Sequence, residues 1–250
     1  MKSLSQYIQE KLIIKKDKNY KYFPETKQEL QTIIKQRIKQ EGPEVDLNDI
    51  DVSKITDMSK LFERTNFNGD ISNWDVSNVT NMRDMFSWCE KFNQDISNWD
   101  VSNVNDMNRM FYACESFNQD ISAWDVSNVS NIEYMFGRCK SFNKDISNWD
   151  VSNVTNMYGL FYECTNFNQD ISAWNVSNVT NMCGIFYECE SFNKDISNWD
   201  VSNVTIMSYM FYWCKSFNQD ISSWDVSKVI DNDNMFYNCK IEEKYKPKFK

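Results

Sequence analysis

The chain has 250 residues and a formal net charge of −9, unevenly spread: residues 1–41 hold ten Lys and Arg against five Asp and Glu, and the remainder is acidic. An acidic body excludes a nucleic-acid backbone as the main ligand, since that needs a basic face. The lack of any histidine removes Ser-His-Asp and Cys-His catalytic sets and the HExxH zinc helix.

From the start of the chain, Leu4, Ile8 and Leu12 share one helical face, so a helix is expected near residues 4–14. MKSLSQYIQEKLIIKK lacks the apolar core of a secretory signal. A cytoplasmic, including phage-encoded, setting is therefore preferred to the cell surface. No apolar run is long enough to span a bilayer, so membrane insertion is not expected. Thr26 and Glu29 form a capping box, Leu30, Ile33, Ile34 and Ile38 make an apolar stripe, and Gly42 stops it. The spacing predicts a helix over 27–40, and residues 1–46 read as a helical cap.

Residues 47–240 are a repeat. Its phase marker falls at Asp51, Asp75, Asp100, Asp125, Asp150, Asn175, Asp200 and Asp225, a first step of 24 residues and then a constant 25. This period belongs to solenoids. Within one unit Val104, Met107, Met110, Phe111 and Cys114 fit one face of an α-helix, with Ser102 as its N-cap. Phe117–Ser122 reads as a short strand, because Phe117 and Ile121 share parity. The fold class expected is α/β: a solenoid of about eight 25-residue strand–helix rungs with an α-helical N-terminal cap. Like side chains of successive copies should form columns. The tail, residues 241–250, is charged and expected to fray.

The phrases SNWDVSNVTNMRDMF and FNQDISNWDVSNV resemble the BspA-like class of bacterial surface-protein leucine-rich repeats. The resemblance implies a right-handed leucine-rich-repeat-like solenoid, strand on one side and helix on the other. It also implies a surface or adhesin-like role, with relatives in phages and large viruses.

Seven cysteines, Cys89 to Cys239, recur once per rung, and nothing resembles a CxxC zinc pair. Buried reduced thiols are the expectation, with disulfides excluded by the spacing of neighbouring helices. Cys183 leans off the buried face and is the candidate reactive thiol. The Asp ladders are read as turn acceptors rather than calcium ligands. No cofactor is expected. The most variable surface positions carry Trp88, Tyr112, Tyr162, Tyr187, Tyr212, Trp213 and Tyr237, a stripe suited to protein contact. Protein recognition is the leading function. A structural spacer or virion-associated component is the second, and a carbohydrate-acting enzyme the third.

Overall fold

The structure is a computed structural model and describes residues 20–249. The helix expected near residues 4–14 lies outside them. Helix α1 spans Lys27–Glu41. The Thr26 side chain accepts the Glu29 N–H at its start, and Gly42, at φ 93°, donates to the Ile38 carbonyl at its end. Leu30 and Ile34 enter the core. Arg37 fastens the helix to the coil, with Nη1 2.8 Å from Asp49 Oδ1 and Nη2 donating to the Asp46 carbonyl.

From there the chain coils, and each rung rests on the one before. Phe62, Phe86, Phe111, Phe136, Phe161, Phe186, Phe211 and Phe236 stack at 5.3–5.9 Å between ring centroids. Phe67, Phe92, Phe117, Phe142, Phe167, Phe192 and Phe217 form a second column. Trp74, Trp99, Trp124, Trp149, Trp174, Trp199 and Trp224 flank them, buried, and each of these indoles reaches back to an earlier rung; Trp124 Nε1 donates to the Ile96 carbonyl at 3.2 Å. Burial of each such side chain contributes about 1.5–3 kcal/mol, so a rung is stabilised by its neighbours.

The expected α/β architecture is overturned. Among the described residues the repeat contains no α-helix and no strand, only isolated parallel bridges such as Asp106↔Asn131. Each rung is built of turns. Met110, Cys114, Phe117 and Trp124 donate their N–H groups to Met107, Phe111, Cys114 and Ile121, three residues back. The step of three that imitates a helical face is thus the step of a β-turn. Alternate N–H groups leave the rung: those of Met107, Arg109, Phe111 and Ala113 donate to Asn131, Glu133, Met135 and Gly137 of the next. Turns and neighbours together satisfy these backbone groups, which is the requirement a strand or helix would otherwise meet.

Polar side chains hold the turns against the helical alternative. Asp100 Oδ1 accepts from the N–H and hydroxyl of Ser102, so Ser102 is held in an Asx turn and caps nothing. Asp106 Oδ1 accepts the Asn108 N–H in the same way. Such local bonds compete with helix formation. On another side an asparagine ladder runs the length of the coil: Asn93, Asn118, Asn143, Asn168, Asn193 and Asn218 each donate a backbone N–H to the Oδ1 of the asparagine one rung earlier, at 2.9–3.0 Å.

The tail does not fray. Ile241 is buried, the Ile221 N–H donates to the Tyr245 carbonyl, and Glu242 N donates to Asn218 Oδ1. A single 3-10 turn, Glu243–Tyr245, carries the chain across the last rung.

A candidate aromatic and arginine-rich docking face

The segment that bonds forward to the next rung also makes the most varied face. In it, two residues per rung, four apart, have positive φ: Lys60 and Arg64, Arg109 and Ala113, Tyr134 and Arg138, Gly159 and Glu163 among them. They sit at the third position of turns such as Met58–Leu61, where type II geometry requires φ above zero. At these positions Tyr209 and Trp213 are exposed, whereas Asp84 and Ala113 are buried.

The stripe expected from sequence is brought together here. Trp88 meets Tyr112 edge-on at 5.7 Å, and Tyr162, Tyr187, Tyr212 and Tyr237 stack in series at 4.5, 4.7 and 5.0 Å. Two columns contribute. The tyrosines follow the buried phenylalanine, whereas Trp88 and Trp213 occupy the left-handed positions. The tyrosines stack on one another and also keep an open edge, widest at the C-terminal end, where Tyr209, Trp213 and Tyr237 are 39, 37 and 52 % exposed.

Tyr134, Tyr158 and Tyr209 belong to the same surface and escaped the sequence reading. Tyr134 bridges the gap left by Gly137, lying 5.7 Å from Tyr112 and 5.8 Å from Tyr162. Its ring also covers Gly159, where any Cβ would overlap it. A glycine facing a tyrosine across one rung was the available signal. Burial, and then the hydrogen bond with Tyr158, pushes the Tyr134 phenol up. Burial and then the Glu163 carboxylate push up that of Tyr162. Both phenols are held in the protonated form by these neighbours.

At the other end of the face stand the arginines. Arg64 and Arg138 lie over the Trp88 ring at 5.6 and 5.8 Å, and Arg109 lies over Tyr134 at 5.6 Å. Arg138 pairs with Glu163 at 3.1 Å. Across the first four rungs is a cleft of about 380 Å³ with a polar lining.

All eight cysteines are free. The helix spacing that argued against disulfides does not exist; instead each thiol in the column has its own partner, as Cys139 Sγ donates to the Phe111 carbonyl. Cys183 is half-buried beside the Ser208 hydroxyl, which donates to its sulfur. Burial, with the Asp231 carboxylate, raises its pKa and depletes thiolate at neutral pH. Under iodoacetamide, native protein should be alkylated first at Cys183, then at the half-buried Cys239, with the six buried thiols protected until unfolding. The Cys183 rate should keep climbing above the pH where an ordinary cysteine levels off, read by site-resolved mass spectrometry.

The aspartates of both ladders accept from serine N–H groups two residues on, Asp120 from Ser122 for example. Among the described residues no group of three or more His, Cys, Asp or Glu is placed to hold a metal ion. No described helix is long and apolar enough to cross a membrane.

Comparison with known families gives a match to the family described as "Mycoplasma protein of unknown function, DUF285", over residues 29–149 and again over 131–248. The two matches overlap and together span the cap helix and every rung. No curated protein matches the chain.

Proposed function

The chain belongs to the DUF285 family, and from that premise we propose that it is a non-enzymatic protein-binding module that docks its partner along the aromatic face. Kinship with the BspA-like surface repeats is part of this proposal and rests on the shared DVSNVTNM phrases. The observation that carries it is the open C-terminal end of the stripe. Tyr209, Trp213 and Tyr237 are large, partly apolar and exposed together at that end. Tyr and Trp supply much contact area at low entropic cost and dominate interface energetics.

A spacer without ligand is the second reading. It is favoured by the asparagine ladder, a nearly uniform face whose backbone N–H and side-chain oxygen atoms are largely spent on each other.

Site-specific photocrosslinking separates the two. A crosslinker at Tyr212 should capture one protein in stoichiometric yield, and one at Asn168, on the ladder, should not. Replacing Tyr209, Trp213 and Tyr237 with Ala should weaken binding of the purified partner at least about tenfold for each central contact worth about 1.4 kcal/mol. Thermal unfolding should move little, because these side chains are the exposed ones. Capture unaffected by the triple substitution would remove the stripe from consideration, and equal labelling from both faces would favour the spacer.

A further inference from the structure

The chain has five arginines. One, Arg37, pins the cap helix; the other four, Arg64, Arg83, Arg109 and Arg138, all stand on the N-terminal half of the docking face. Lys60 joins them in lining the cleft. Against these cations the cleft sets Glu63 and Asp84, and the contacts are long: 3.9 Å from Glu63 to Lys60 and to Arg64, and 3.6 Å from Asp84 to Arg83. Arg109 has an aromatic neighbour, Tyr134, and no carboxylate among the described ion pairs. The cleft is therefore a cationic island on an acidic body.

These side chains are also held in a costly conformation. Lys60, Arg64, Trp88, Arg109, Tyr134 and Arg138 all have φ between 53 and 62°. The left-handed region costs a non-glycine residue about 1–2 kcal/mol. Glycine fills the column of Lys60, Arg109 and Tyr134 at Gly159 and Gly184.

We infer that this cleft is the docking site for an acidic segment of the protein partner, its carboxylates received by Arg64, Arg83 and Arg109 over the rings of Trp88 and Tyr134. This rests on the protein-binding reading and adds to it the chemistry of the partner. The cations are spread over three successive rungs rather than gathered on one point. That suits carboxylates a few residues apart on an extended chain, which rises about 3.3 Å per residue, better than a lone phosphate. Guanidinium groups bind carboxylates in bidentate fashion, and aromatic faces hold the guanidinium planes in place. A nucleic-acid strand fits less well, because the face turns acidic beyond Arg138 at Glu163 and Glu188. Phosphate contacts would run out there.

The test is fluorescence anisotropy with a short fluorescein-labelled peptide of alternating Glu and Ser, and with its Gln–Ser counterpart. The Glu peptide should bind the full chain saturably and more weakly as salt is raised. Arg64→Gln with Arg109→Gln should weaken it at least about tenfold, and Arg109→Lys should restore only part of the loss. Lys228→Gln, an exposed cation outside the face, should leave it unchanged. Equal binding of the Gln peptide, indifference to the arginine substitutions, or tighter arginine-dependent binding of a single-stranded oligonucleotide would each overturn the inference. If the peptide fails while crosslinking from Tyr212 still captures a partner, the arginine assignment falls and the protein-binding reading stands.

Discussion

Phe161→Ala is expected to destabilise the coil by about 3–5 kcal/mol, the cost of emptying a fully buried phenylalanine site. Phe161 has no exposed surface and is stacked on four sides: Phe136 and Phe186 at 5.9 Å in adjacent rungs, Phe167 at 4.0 Å and Trp174 at 6.1 Å within its own. Relaxation into the gap is opposed from both directions, because the rungs above and below are tied to this one by backbone bonds at Phe161 N–Ile185 O and Phe136 N–Leu160 O. The end of the column supplies the comparison. Phe236 is only partly buried and has one stacked neighbour, Phe211 at 5.8 Å. Phe236→Ala should cost about 1–2 kcal/mol, little more than its lost transfer energy. Urea unfolding at constant m-value measures both. Equal costs would mean that the columns do not act as a stack.

This contrast between middle and end follows from the feature most legible in the sequence. A constant 25-residue step makes like residues neighbours, and the phenylalanine, tryptophan and cysteine columns follow whatever the backbone does between them. The α1 helix was equally readable, since its cap, stripe and stop are local: Thr26, Leu30 with Ile34, and Gly42. The backbone of the rung was not. Apolar residues three apart satisfy a helical face and a train of turns alike. The deciding signal was polar. Asp100 and Asp106 each accept an N–H two residues on, at the start of the segment whose spacing imitates a helix, and such Asx turns compete with helix formation there.

The docking face divides along the same line. Tyr112, Tyr162, Tyr187, Tyr212 and Tyr237 hold one phase of the repeat, so alignment of the copies finds them. Arg64 and Arg138 share one phase of the repeat, but Arg83 and Arg109 take two others. They converge because left-handed positions four apart, and the residue before one of them, open onto the same surface in successive rungs. The left-handed positions themselves were hidden, since only Asp84, Gly159 and Gly184, with Asn234 and Asn238 in the last rung, are residue types that favour them.

Gly69→Gln should be the most damaging substitution at the N-terminal end, although it merely restores the residue found at Gln94, Gln119, Gln169 and Gln219. In those rungs the position faces an earlier copy, and the side chain is useful: Gln94 Nε2 donates to the Asn68 carbonyl at 2.9 Å. At Gly69 no earlier copy exists, and the connector from α1 crosses instead. A Cβ there would overlap the Val45 carbonyl oxygen. Neither backbone is free to move away. Asn68 N donates to the Pro43 carbonyl at 2.8 Å, Leu47 N to the Asp70 carbonyl at 2.9 Å, and the Trp74 indole to the Leu47 carbonyl at 2.9 Å. Any side chain therefore lifts the connector, and with it the seats of Val45, Leu47, Leu30 and Ile34, all buried. At about 1.5–3 kcal/mol for each large side chain exposed, the cap should release before the rungs melt. The expected result is fast amide exchange and protease cleavage between residues 42 and 50 in a chain whose later rungs remain protected. Gln94→Gly, which removes one hydrogen bond and adds backbone freedom, should cost only about 1 kcal/mol. If Gly69→Gln leaves the exchange of α1 as slow as before, close approach of the connector is not what demands glycine at this position.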